Sequence, residues 1–336
     1  MNTFNQDVNK HQIKWRKNAK LSSNAKGWQG RYAREWILPK SIWEEGLWPG
    51  IRKSLPDYLR GSRVQKHLDV HNLKSSWILC ANLYFPFRDS ADDRALLASF
   101  LHERIHNDIL SVDAVELEYA EEGDLSPSAL LGEVGGKRGS GQTSPDVAFL
   151  VNGRRGLVLT ESKYTEHSFY PCSARSGSGG SGRPPNPDSA RCNDLRTVLE
   201  NPDGMCHQAA WGRRYWKHLM PAFRRETLPS LRRCPAATAG YQLLRQQALA
   251  EGIATSGKYE FVATCLAVDE RNADLAACLK TTGIADIHSW GGLFAGKAYF
   301  AVFHHQDWVA WVRAYDEGNK WSNWLAYVEA RYGFAQ

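Results

Sequence analysis

The chain has 336 residues, 43% hydrophobic and 23% charged, proportions that exclude a largely disordered polypeptide and leave room for a sizeable core. It has no apolar run of about 18 residues, and the polar, basic opening MNTFNQDVNKHQIKWRK has no secretory-signal core. Seven cysteines without a dense framework fit reduced thiols, so a cytoplasmic globular protein is expected. The net charge of +6 leans toward an anionic partner and is uneven, since residues 1–34 carry eight Lys or Arg against Asp7 alone.

In chain order, residues 1–75 are expected to form a basic N-terminal extension, partly helical or irregular. Lys14, Arg16 and Lys17 are its candidate phosphate contacts. A second unit, 76–336, opens with the dense apolar run SWILCANLYFPF at 76–87, a buried helix or strand ended by Pro86. Residues 91–107 have helical period, and 112–119 alternate like a strand. Residues 146–151 and 157–163 read as two strands joined by Asn152-Gly153-Arg154-Arg155. The stretch 173–191, with five Ser, four Gly, three Pro and three Arg, predicts a flexible basic loop whose Arg175 and Arg183 are further candidates for nucleic-acid contact. A helix is expected over 204–220, and buried strands over 259–268 and 298–303. Residues 290–336 hold 13 aromatics, and the i,i+3 pairs Trp308/Trp311 and Trp321/Trp324 favour helices packed on the core over base stacking. The pattern predicts a mixed α/β fold with a central sheet flanked by helices.

The hairpin carries the chemistry. Pro145-Asp146 opens its first strand and Glu161-Ser162-Lys163 closes its second. Side chains alternate along a strand, so Glu161 and Lys163 share a face. A four-residue loop sets Asp146 opposite Glu161, and a two-residue turn still keeps it on that face; a three-residue loop breaks the parity. Two hard carboxylates suit Mg²⁺ or Mn²⁺, the Ser162 carbonyl is a candidate third ligand, and a nearby lysine can orient water or stabilise phosphorane charge.

Pro145-Asp146 followed by Glu161-x-Lys163, on consecutive strands after a helix and a strand, resembles the PD-(D/E)xK nuclease superfamily. SSWILCANLYFPF, SPDVAFLV and LVLTESKYTEHSF are similar to bacterial restriction-endonuclease-related proteins. The resemblance implies a restriction-endonuclease-like αβββαβ core over 91–268 and a metal-dependent endonuclease acting on DNA rather than RNA, in restriction or repair. By it, Asp146 and Glu161 would bind Mg²⁺ or Mn²⁺ and Lys163 would be the catalytic lysine. Such families often add an acid from the first core helix. Glu103 is the candidate, lying about 20° from Leu96 on the helical wheel, with Glu118 and Glu133 as alternatives. The later helix often supplies a Gln and a Tyr; Gln208 and Tyr215 are the candidates, although the Q-x-x-x-Y spacing of the exonuclease branch is not matched. Double-strand cleavage with one site per chain would favour a homodimer.

Three readings compete. A chain that keeps the fold without chemistry would be a nucleic-acid-binding or assembly protein. His102-Glu103-Arg104-Ile105-His106 matches the H-E-x-x-H of zinc proteases, but both histidines fall opposite the apolar half of the helix. Cys172, Cys192, Cys206 and Cys234 offer a structural Zn²⁺ or, as in some nucleases of the superfamily, an iron–sulfur cluster; with no C-x-x-C pair, free buried thiols are favoured.

Overall fold

The computed structural model describes residues 3–23, 25–27, 30–62, 64–175 and 183–334. Part of the expected basic loop, 176–182, lies outside the described residues.

Five strands form the central sheet: β1 (Val112–Leu117), β2 (Val147–Val151), β3 (Gly156–Lys163), β4 (Phe261–Val268) and β5 (Tyr299–His304). They lie side by side in chain order, the first three antiparallel and β3, β4 and β5 parallel. β2 and β3 are buried along their whole length, which is why they read as continuous apolar runs. Asn152, Gly153 and Arg154 all take positive φ in the connection between them, and the Asn152 side-chain carbonyl accepts the Leu110 N–H at 2.8 Å. Val147 therefore faces Thr160 and Val151 faces Gly156, the register of a four-residue loop.

Among the described residues, the helices that frame the sheet include α1 (Thr3–Asn18), α2 (Ser76–Tyr84), α3 (Ala91–Arg104), α4 (Tyr215–Ala222), α5 (Tyr241–Ser256), α6 (His305–Tyr315) and α7 (Ser322–Tyr332). Ser75 and Ser90 cap α2 and α3 through Ile78 N–H and Asp93 N–H. One face of the sheet, with Phe149, Val158 and Cys265, packs under α2, α3 and α6, where Phe87 stacks on Trp321 at 4.0 Å. Trp308 and Trp324 are fully buried there, so the aromatic C-terminus is core. The opposite face, with Ala148, Leu157 and Leu159, packs under α4 and α5.

Two expectations are corrected. The span 204–220 is not one helix: it breaks into Pro202–Met205, His207–Ala210 and α4, with Gly212 at φ +74° between the last two. The helix that covers the sheet between β3 and β4 is α5. The residues before 76 are built into the core rather than extending from it, since Val8, Trp43, Leu47, Ile51 and Leu55 are buried with the α2 and α3 side chains. No described helix is long and apolar enough to cross a membrane.

Candidate active site

At the end of the sheet where β3 finishes and β2 begins, a cavity of about 400 Å³ opens between the strands, α2 and α5. Asp146, Glu161 and Lys163 line it together. The Asp146 Oδ2 accepts the Ser162 N–H at 2.8 Å, and Lys163 Nζ donates to Glu161 Oε1 at 2.7 Å. Each carboxylate thus keeps one oxygen, Asp146 Oδ1 and Glu161 Oε2, without a hydrogen bond among the described residues.

Glu118 completes the acidic wall. Its N–H bonds the Asp146 carbonyl at 3.0 Å, which continues the β1–β2 ladder one residue past the strand. Its backbone sits at φ +48°, a costly conformation for glutamate. Arg138 holds it there, donating to the Leu117 carbonyl at 2.8 Å and the Glu118 carbonyl at 3.0 Å. Gly139 lets this loop close over the site: at φ +81°, a side chain there would meet the Gln65 carbonyl at 2.6 Å and the Glu118 carboxyl carbon at 3.4 Å.

The electrostatics are those of crowded acids. Burial, then the neighbouring Glu161, pushes the Asp146 carboxyl up, and burial with Asp146 and Glu161 does the same to Glu118. Burial alone would depress the Lys163 ammonium, but Glu161, Glu166 and Asp146 outweigh it and hold Lys163 above the ordinary lysine range. Glu166 is occupied by Ser76 Oγ at 2.6 Å and Tyr164 N–H at 2.8 Å. Across the cavity, α5 supplies Gln242, Arg245 and Gln246. Arg245 spends its Nε on Glu133 at 3.0 Å and Thr143 Oγ1 at 3.1 Å, while its two terminal nitrogens make no hydrogen bond among the described residues.

The other expected residues lie elsewhere. Glu103 is exposed at the end of α3, beside Leu110 and Val112, where β1 starts; that is the far end of the strands from Asp146. The wheel reference, Leu96, is itself only half-buried, so closeness to it did not mean facing the sheet. Glu133 is buried and taken up by Thr143, Tyr215 and Arg245. Gln208 donates to Cys172 Sγ at 3.0 Å and Tyr241 Oη at 2.8 Å, and Tyr215 donates to Glu133 at 2.8 Å. Both therefore stand behind the site rather than in it.

Among the expected nucleic-acid contacts, Arg16 is buried and donates to the Leu21 carbonyl at 2.7 Å, so it is structural. Lys14 and Lys17 are exposed, Lys17 pairing with Glu35 at 3.3 Å. Arg175 is tied to the Ala237 carbonyl at 2.7 Å, and exposed Arg183 lies over Trp211 at 4.9 Å. The H-E-x-x-H pattern does not lie on one helix face, because α3 ends at Arg104, between the two histidines, and His106 instead packs on Phe261 and Tyr299.

Sequence reasoning missed Arg245, Gln242 and Gln246, whose signal was the spacing along 241–256, and Lys74 and His67, which reach the cavity from the N-terminal segment. The glycine run at 135–141, directly before Pro145-Asp146, marked the loop that closes over the acids.

A family model described as Restriction Endonuclease associating with ARP matches residues 9–333. The chain belongs to that family, and its mixed five-stranded sheet flanked by helices is consistent with a restriction-endonuclease-like fold. No curated protein and no solved structure matches.

Proposed function

We propose that this member of a restriction-endonuclease family hydrolyses DNA phosphodiester bonds in a divalent-cation-dependent reaction at the cavity formed by Asp146, Glu161 and Lys163. The observation that carries the reading is the convergence of these three side chains, with two carboxylate oxygens left free of hydrogen bonds among the described residues. Among those residues no three His, Cys, Asp or Glu side chains stand together around one ion. Two carboxylates nevertheless suit Mg²⁺, which keeps several waters and takes few protein ligands. The mutual repulsion of Glu118, Asp146 and Glu161 is what a cation would relieve. Asp146 and Glu161 would hold it, with the Ser162 carbonyl as a further candidate. When bound, the cation would neutralise phosphate charge and acidify water.

The chain's own groups do the rest. Lys163, kept charged by its acidic neighbours, orients the attacking water and stabilises charge developing on the phosphate. Arg245 offers its terminal nitrogens to a phosphate oxygen from the opposite wall. Exposed Lys14, Lys17 and Arg183 contribute sequence-independent attraction to the backbone.

Incubation of the protein with supercoiled plasmid and Mg²⁺ tests this, with nicked or linear product expected. Intact plasmid retained by the protein would instead favour a binding module without chemistry.

A further inference from the structure

The segment between β3 and α5 has little regular structure, and the longest helix among its described residues is α4, with eight residues. We propose that Cys172, Cys192, Cys206 and Cys234 form a four-thiolate site for a thiophilic metal centre, zinc or an iron–sulfur cluster, that staples this segment together. All four cysteines line one cavity of about 30 Å³. Its other walls include Ala174, Ala236, Leu244 and Trp216, and no Asp or Glu reaches it. A site with four soft donors and no carboxylate selects zinc or iron over magnesium or calcium.

The backbone brings the four together although their spacing carries no signal. Cys234 N–H donates to the Cys192 carbonyl at 3.1 Å, Cys172 N–H to the Ala236 carbonyl at 2.7 Å, and Arg191 Nη1 to the Met205 carbonyl at 3.2 Å. A donor also points at one of the sulfurs: the Gln208 amide bonds Cys172 Sγ at 3.0 Å. A neutral thiol is a weak acceptor, whereas a metal-bound thiolate makes full use of such a donor. None of the four is in a disulfide.

Among the described residues no three His, Cys, Asp or Glu side chains are placed to hold one ion, so a single zinc would have to draw the sulfurs inward, whereas a polynuclear cluster takes ligands set further apart. An irregular segment with such a staple needs less apolar core of its own.

Metal content of the full chain, purified anaerobically, tests the proposal. The expected result is about one zinc per chain, or iron with matching acid-labile sulfide and visible thiolate-to-iron absorption; the two arms identify the centre. Cys172→Ser and Cys234→Ser should lose most of it, whereas Cys278→Ser, outside the cavity, should keep it. If the serine variants do not fold, reconstitution of the wild-type chain with zinc, and separately with iron and sulfide, decides. A chain that retains neither, or whose metal survives both substitutions, would overturn the proposal.

Discussion

The Asp146 carboxylate accepts the backbone N–H of Ser162 at 2.8 Å, tying the residue just before β2 to the penultimate residue of β3. The hydrogen bond fixes one carboxylate oxygen and leaves the other toward Glu161 and the cavity. Asp146 is thus both a clamp on the hairpin and half of an acidic pair that is uncomfortable without a cation.

This dual role predicts a trade between stability and activity. Asp146→Asn keeps an oxygen for the Ser162 N–H but removes one of the repelling charges. Without divalent ions, the variant should be as stable as the wild type or more so, by up to about 1 kcal/mol in urea unfolding. Adding Mg²⁺ should raise the wild-type unfolding free energy by about 2.7 kcal/mol at a hundredfold excess over the dissociation constant, and leave the variant's unchanged. Equal shifts in both would place the cation elsewhere.

Glu118 and Glu103 make a paired test. Glu118 borders the cavity at φ +48°, and Glu103 is exposed at the other end of the strands. Glu118→Gln should lower plasmid cleavage by about 10- to 100-fold, the range for groups that support a metal site. Glu103→Gln should cut at the wild-type rate.

Arg245 is expected to act on phosphate binding. Arg245→Gln should weaken affinity for a DNA duplex in calcium, where cutting is suppressed, by roughly tenfold, in line with about 1.5 kcal/mol for a charge-assisted hydrogen bond. Unchanged affinity would confine Arg245 to holding Glu133 and Thr143.

His305 sets an acid limit on stability. The ring is fully buried, with Nδ1 3.1 Å from Tyr84 Oη and Nε2 3.2 Å from the Lys163 carbonyl. Burial pulls its pKa down to about 4. An unfolded histidine titrates near about 6.5, so between that value and about 4 the unfolded chain binds the extra proton and the folded one does not. Stability should therefore fall as pH is lowered through this window, by up to about 3 kcal/mol from this group. The urea midpoint of His305→Gln should depend less on pH than the wild type's over the same range; parallel profiles would contradict the assignment.

The hairpin was legible because a period of two leaves little freedom: Asp146, Glu161 and Lys163 share a face for either even loop length. α5 was not. Eleven of its residues are buried, from Leu243 to Ala254, and they include Gln246, Gln247 and Glu251, so no apolar stripe marks the helix and the i, i+3, i+4 spacing of Gln242, Arg245 and Gln246 is left as its signal. The span 204–220 is not one helix because it breaks at Cys206 and again at Gly212, whose positive φ an α-helix does not allow. Glu103 failed for a longitudinal reason: a wheel reports which side of a helix a residue takes, not which end of the sheet the helix reaches. Arg16 failed because a basic residue in a basic arm looks exposed until Glu35 and the Leu21 carbonyl are seen around it. The four cysteines are separated by segments whose folding, not their length, brings them to one cavity.

Assignment of the reaction to Asp146, Glu161 and Lys163 is tested by plasmid cleavage in Mg²⁺ with wild type, Lys163→Ala and Asp146→Ala side by side. Cutting by the wild type should fall by about 10²-fold or more in each variant, the loss typical when a group stabilising transition-state charge is removed. Cutting that persists at the wild-type rate in both variants would contradict the assignment of the reaction to this cavity.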